Sequence, residues 1–343
     1  MKFVKKVIKV LISIILLVLL LVITWWFWPE RTPRLRASGF ESVSTIDYIE
    51  LGQTEQCVLI RSKNINNPIL LFLHGGPGMP MMYLAHEFQR PLEDHFTVVQ
   101  WDRRGAGKSF SRNKPLPESM NTRQLVNDAY ALIDTLKNRY NQGQVVLIGH
   151  SFGSYLGSIM TYEKPELFSY YISVGQVVDD NKSLLLQKRF IREQARLKGD
   201  TELISKLDNN EIVYFENWLF EFGGELKNST SFFPLIWSGL QAPEYTLSEA
   251  IGLASASSFS STHMKNNILT GSIFDEITEY NMPVYFFVGT SDYTTPHQLI
   301  TEYFEKVNAP KKEIIYFENS SHFPFFEEPE KFAEEVKRIL LKE

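Results

Sequence analysis

The residues with the clearest chemical potential form the run Gly149-His150-Ser151-Phe152-Gly153. The run follows an apolar stretch, Val145–Ile148, and precedes a helical pattern from Phe152 to Tyr162. A serine squeezed between a strand and a helix adopts a strained backbone. Glycines two residues before and after it remove the side chains that would clash. The hydroxyl then stands at the carboxyl edge of a sheet, beside a helix N-terminus that favours developing negative charge. Ser151 is therefore the candidate nucleophile.

A serine nucleophile needs a base and an acid to orient that base. Asp292 follows the apolar run Val284–Val288, in Gly289-Thr290-Ser291-Asp292. His322 follows Ile314–Phe317, in Asn319-Ser320-Ser321-His322. Both fall in loops at the carboxyl ends of strands, where open α/β sheets place ligands. The rivals are placed differently. His297 begins a helix after Pro296, His263 lies in a helical interval, and Asp275 precedes a strand.

A second glycine-rich run, His74-Gly75-Gly76-Pro77-Gly78, directly follows Ile69–Leu73. A backbone N–H of Gly75 or Gly76, paired with that of Phe152, would form an oxyanion hole. His74 is expected to fix this loop by hydrogen bonding rather than to react. The chemistry these groups support is acyl transfer to water, with no metal or organic cofactor.

Other motifs fail on spacing. Gly107-Lys108-Ser109 ends like a phosphate-binding loop, but Asp102 stands where that loop needs its first glycine. His86-Glu87 begins like a zinc-protease helix, but Arg90 replaces the second histidine. Cys57 is the only cysteine, so disulfide scaffolds and cysteine-based zinc sites are excluded within one chain. It reads as a small core residue of a strand.

The elements that must position these groups alternate. Eight short apolar runs read as strands, near Val43–Ile49, Cys57–Arg61, Ile69–Leu73, Phe96–Trp101, Val145–Ile148, Tyr170–Val174, Val284–Val288 and Ile314–Phe317. Several are continuously apolar, as strands buried on both faces of a parallel sheet are. Asn121 with Gln124 resembles a capping box ahead of a helical stripe ending at Leu136. Pro329 suits the first position of a C-terminal helix. About 100 residues between Gln176 and Asn281 carry helical patches and no strong strand, as an inserted helical cap would. Its glutamates, Glu211, Glu216, Glu221, Glu225 and Glu244, read as solvated surface charges.

The N-terminus differs from the body. Residues 1–36 hold seven cations and one anion, a net +6, whereas residues 37–343 hold 28 cations and 39 anions, a net −11. The acidic body argues against nucleic-acid binding. From Val10 to Trp28 run 19 uncharged residues, roughly 28 Å as a helix, closed by Trp25, Trp26, Phe27, Trp28 and then Pro29. This predicts an uncleaved, single-pass transmembrane anchor in contact with a lipid bilayer. A cleaved signal would have a shorter apolar core followed by small residues. The flanking charges favour an extracytoplasmic body. The expected division is an anchor and linker over 1–36, a core over 37–176, a helical cap over 177–280, and the rest of the core over 281–343.

Together these motifs resemble the α/β-hydrolase fold family, in its proline iminopeptidase-like branch, from about Val43 to the C-terminus. The most discriminating segments are His74-Gly75-Gly76-Pro77-Gly78 and Asp102-Arg103-Arg104-Gly105-Ala106-Gly107-Lys108-Ser109, which is similar to that branch's D-x-R-G-x-G-x-S loop. His150 stands where many close relatives have glycine. The resemblance implies a mostly parallel eight-stranded sheet with helices on both faces and an inserted helical cap. It implies Ser151 as nucleophile, His322 as base and Asp292 as orienter, acting to release an N-terminal residue, often proline, from short peptides. It also implies cap glutamates that hold the free substrate amine. An esterase or lipase acting on acyl esters is the alternative. A third is a catalytically silent binding protein of the same fold, although this chain retains all three triad residue types.

Overall fold

A computed structural model describes residues 2–26, 31–37, 39–209, 214–264 and 272–341. The eight apolar runs become one eight-stranded sheet. The strands are β1 (Val43–Leu51), β2 (Thr54–Ser62), β3 (Ile69–Leu73), β4 (Thr97–Asp102), β5 (Val145–His150), β6 (Phe168–Val174), β7 (Val284–Gly289) and β8 (Lys312–Phe317). Their order across the sheet is β1-β2-β4-β3-β5-β6-β7-β8. β2 runs antiparallel to both β1 and β4, and every other pair is parallel. β1 and β2 are joined by Gly52 and Gln53, both at positive φ, as a tight hairpin turn requires.

Alternation along each strand divides the core in two. Leu71, Leu73, Leu147, Val284 and Phe286 face one apolar layer, while Leu70, Phe72, Val146, Tyr285 and Phe287 face the other. Helices cover both layers, which is why these strands carry no polar alternation. Thr122–Tyr140 and Phe152–Glu163 pack on the first side, and Pro329–Leu341 on the second. Asn121 Oδ1 accepts from Gln124 N at 2.9 Å and starts the first of these helices. Cys57 is buried in β2 with a free thiol.

Between β6 and β7 the described residues form helices and no named strand. Phe190, Ile191, Ala195, Leu203, Leu207 and Leu219 give this segment a small core of its own.

The expected membrane span does not survive. Among the described residues, no helix is long and apolar enough to cross a membrane. The N-terminal helix, Lys2–Trp26, takes Lys2, Lys5, Lys6 and Lys9 into its own first turns. Its uncharged part, from Val10 to Trp26, covers about 26 Å, against a hydrocarbon thickness of ~30 Å. Phe27, Trp28, Pro29 and Glu30 lie outside the described residues. The single-pass membrane localisation, and the extracytoplasmic orientation with it, rested on that span and are not supported.

Candidate active site

Ser151 sits between β5 and the helix Phe152–Glu163, with φ 53° and ψ −125°. Its N–H donates to the Val174 carbonyl at 3.0 Å, which ties the turn to β6. The turn is tight because the helix starts against β3. A Cβ added at Gly153 would lie 2.1 Å from the Leu73 carbonyl oxygen. No side chain fits there, and this is the physical content of the second glycine of the motif.

Asp292 and His322 come from the loops after β7 and β8 and are both buried. His322 Nδ1 donates to Asp292 Oδ2 at 2.9 Å. Asp292 also accepts from Thr295 N at 2.9 Å and from Thr295 Oγ1 at 2.8 Å. Burial opposes a charge on His322, but Asp292, and behind it Glu225, outweigh this and hold its pKa above the ordinary imidazole value. Ser151 and His322 line one pocket of about 400 Å³, together with Gly75 and Gly76. No hydrogen bond joins Ser151 Oγ to His322 among the described residues; such contacts often tighten only once substrate is bound.

Gly75 and Gly76 run directly past the serine. A Cβ built on Gly75 would be 3.0 Å from Ser151 Cβ, and Gly76 takes φ 106° to make the bend. Phe152 is the first residue of its helix, so its N–H has no partner within that helix. His74 is buried and bonded to the loop, as expected, with Nδ1 2.8 Å from the Gly75 carbonyl oxygen. Burial and the neighbouring Arg103 hold its pKa well below ordinary, so the ring is neutral. His297 heads the helix His297–Lys306 and meets Asp292 only at its main-chain carbonyl, 3.3 Å from the ring Nδ1, while Asp275 pairs with Lys306.

Several groups were not legible in the sequence. His150 packs 4.7 Å from His322, ring to ring, and its Nε2–H donates to the His322 carbonyl at 2.9 Å. Burial, and then His322, drive its pKa well down, so it is a neutral strut. Two glutamates read as solvated are buried. Glu225 lines the pocket, and its carboxylate accepts from Thr294 Oγ1. Burial pushes its pKa up to about 7. Glu244 is also buried but faces a separate small cavity beside Arg61. Glu216 lines the pocket while remaining exposed, Glu221 pairs with Lys198 on the surface, and Glu211 lies outside the described residues. Among the described residues no cluster of three His, Cys, Asp or Glu side chains is arranged to hold a metal ion.

Known proteins resemble this chain in sequence and shape. A family model described as the alpha/beta hydrolase fold matches residues 68–329. A probable aminopeptidase of Bacillus subtilis, YbaC, is 29% identical over 308 residues, covering 87% of this chain and 96% of that protein. A proline iminopeptidase of Heyndrickxia coagulans is 24% identical, covering 77% and 87%. Among solved structures, a proline iminopeptidase-related protein from Thermus thermophilus superposes with a TM-score of 0.64 at 22% identity, over 87% of this chain and 98% of that one.

Proposed function

The chain belongs to the alpha/beta hydrolase fold family, and we propose that within it this protein is a serine aminopeptidase that releases N-terminal residues from short peptides. Ser151 is the nucleophile, His322 the general base, and Asp292 the group that orients and charge-balances the base. The helical segment 177–280 serves as the cap over the pocket.

The observation that carries the peptidase reading is Glu225. A buried carboxyl in the same pocket as Ser151 and His322 is poised to receive a substrate ammonium. Burial pushes its pKa up to about 7, and an incoming cation would favour its ionised form. Glu216 adds a second carboxylate at the pocket wall. The peptidase names of the relatives are consistent with this reading.

In the proposed cycle His322 Nε2 takes the Ser151 proton as Oγ attacks the scissile carbonyl. The N–H groups of Phe152 and of Gly75 or Gly76 hold the oxyanion. His322 returns the proton to the leaving amine. Water, activated by the same imidazole, then cleaves the acyl-enzyme. Asp292 stays ionised throughout.

An esterase acting on acyl chains is the second reading. Met79, Met81, Leu84, Phe232, Phe323 and Phe325 give the pocket an apolar wall that suits it. Kinetics on matched prolyl amides, alanyl amides and short-chain esters separate the two. Ser151→Ala is expected to lose several orders of magnitude in kcat with the fold intact. Activity persisting in that variant rejects the mechanism.

A further inference from the structure

The peptide joining Gly75 to Gly76 is held from behind. The Gly75 carbonyl oxygen accepts from His74 Nδ1 at 2.8 Å and from Arg103 Nη2 at 2.9 Å. The tautomer follows from the other ring nitrogen. His74 Nε2 accepts the Arg103 backbone N–H at 3.2 Å, so the ring proton of the neutral imidazole is on Nδ1. A trans peptide is planar, and its C=O and N–H point in opposite directions. With the Gly75 oxygen turned toward His74 and Arg103, the Gly76 N–H is turned away from them, and Gly76 lines the pocket beside Ser151.

Arg103 also touches the other half of the same feature. Its guanidinium carbon lies 5.5 Å from the centre of the Phe152 ring. The side chain is 1% exposed, and among the described residues no carboxylate pairs with it. Among the described residues its Nη1 has no hydrogen-bond partner. Burial pulls its pKa down to about 9, which leaves it charged at neutral pH. A buried cation without an anion is costly in a resting protein. The same cation is favourable when negative charge builds nearby in a dry site.

We infer that Arg103, acting with His74 through the Gly75 carbonyl, is the positioning residue of the oxyanion hole. It selects Gly76 over Gly75 as the loop's donor and sets an unneutralised positive charge behind the developing oxyanion. The inference rests on the serine mechanism proposed above.

The test uses the full chain and three measurements: hydrolysis of nitrophenyl butyrate, inhibition by butylboronic acid, which becomes tetrahedral on the serine, and inhibition by butyramide, which stays planar. Arg103→Met is expected to lower kcat roughly a hundredfold, the scale of one lost oxyanion donor, with KM little changed. Boronic acid affinity should fall in parallel while butyramide affinity holds. Equal loss of both inhibitors, or an unchanged kcat, overturns the inference. If Arg103→Met does not fold, Arg103→Lys, which keeps the charge without the fork, is judged by the same divergence between the two inhibitors. Ser151→Ala distinguishes the two levels. Its activity would sink the serine mechanism itself, whereas an inactive Ser151→Ala beside a wild-type-like Arg103 variant sinks only the role given to Arg103.

Discussion

The backbone N–H of His322 donates to the carbonyl oxygen of Glu225 at 3.0 Å. The proposed base, in the loop after β8, and Glu225 from the helical segment are therefore fixed to one another, main chain to main chain. Glu225→Gln keeps this bond and removes only the side-chain charge. If Glu225 receives a substrate amine, the variant should raise KM for aminoacyl amides by at least about tenfold, the loss of one charge-assisted contact. The ratio of aminoacyl to ester activity should drop. An unchanged ratio rejects Glu225 as the amine site and favours the esterase reading.

The same carboxyl makes a stability prediction. Its pKa rises from 4.5 to about 7, chiefly through burial, with His322 and Thr294 opposing. Between those values the unfolded chain releases a proton that the folded chain keeps. Stability is thus lost as pH rises through this window, and the loss is complete above it. Glu225→Gln should raise the Tm of the substrate-free protein near pH 8 and leave it unchanged near pH 4. The gain is on the order of 3 kcal/mol. Equal effects at both pH values would show that burial of the charge is not the cause.

The strands and the triad candidates were legible because each depends on local pattern. Continuous apolar runs marked β3, β5 and β7, and Asp292 and His322 each follow such a run by a few residues. The ends of β1, at Glu50 and Leu51, and of β8, at Lys312 and Glu313, extend beyond the apolar pattern because ladder pairing continues across their charged residues. What could not be read depends on contacts between distant segments. Glu225 looks like any helix glutamate until Thr294, far along the chain, meets it. His150 and Arg103 occupy variable positions of their motifs, and their partners, the carbonyls of His322 and Gly75, are backbone atoms brought near by the sheet. The N-terminal run is misleading in sequence because its apolarity does not show that the helix begins at Lys2 and takes four lysines into its first turns.

The His322 environment fixes the acid limb of the pH–rate profile. Burial alone would lower its pKa, but Asp292 at 2.9 Å reverses the sign. The base works only when deprotonated, so activity should rise with pH through a value above the ordinary ~6.5. Asp292→Asn removes the attraction and leaves burial. The limb should move to lower pH while kcat falls about 10⁴-fold, because the tautomer is no longer enforced. Ester hydrolysis measured from acid to neutral pH checks both effects. A limb that stays in place would mean Asp292 does not set the charge of the base.

The helix Leu247–Met264 is tied to the segment after β4 by Ser260 Oγ, which donates to the Gly105 carbonyl at 2.7 Å, and by a largely buried ion pair. Lys108 Nζ lies 2.8 Å from Glu249 Oε2, with the lysine side chain fully buried and the glutamate nearly so. Glu249→Gln leaves the ammonium without this counter-charge and should cost about 3 kcal/mol in urea unfolding. Adding Lys108→Met should recover part of that loss, since the charge that Glu249 balances is gone as well. Strictly additive effects of the two changes would show that the pair is not coupled.

Gly153 links stability to catalysis most directly. Its missing side chain lets the helix behind Ser151 start against the carbonyl of Leu73, with the His74 carbonyl 2.6 Å from where a Cβ would stand. Both obstacles are backbone, so Gly153→Ala can be accommodated only by moving the end of β3 or the start of the helix. Either shift separates Phe152 from the Gly75–Gly76 loop. Gly143→Ala is the control, since nothing lies within 4 Å of its added methyl group. Gly153→Ala is expected to lose about 3 kcal/mol or more in urea unfolding, together with a fall in kcat that exceeds any change in KM. Gly143→Ala should match the parent in both. If Gly153→Ala keeps its full kcat, the close approach of helix and strand is not what aligns the two oxyanion donors.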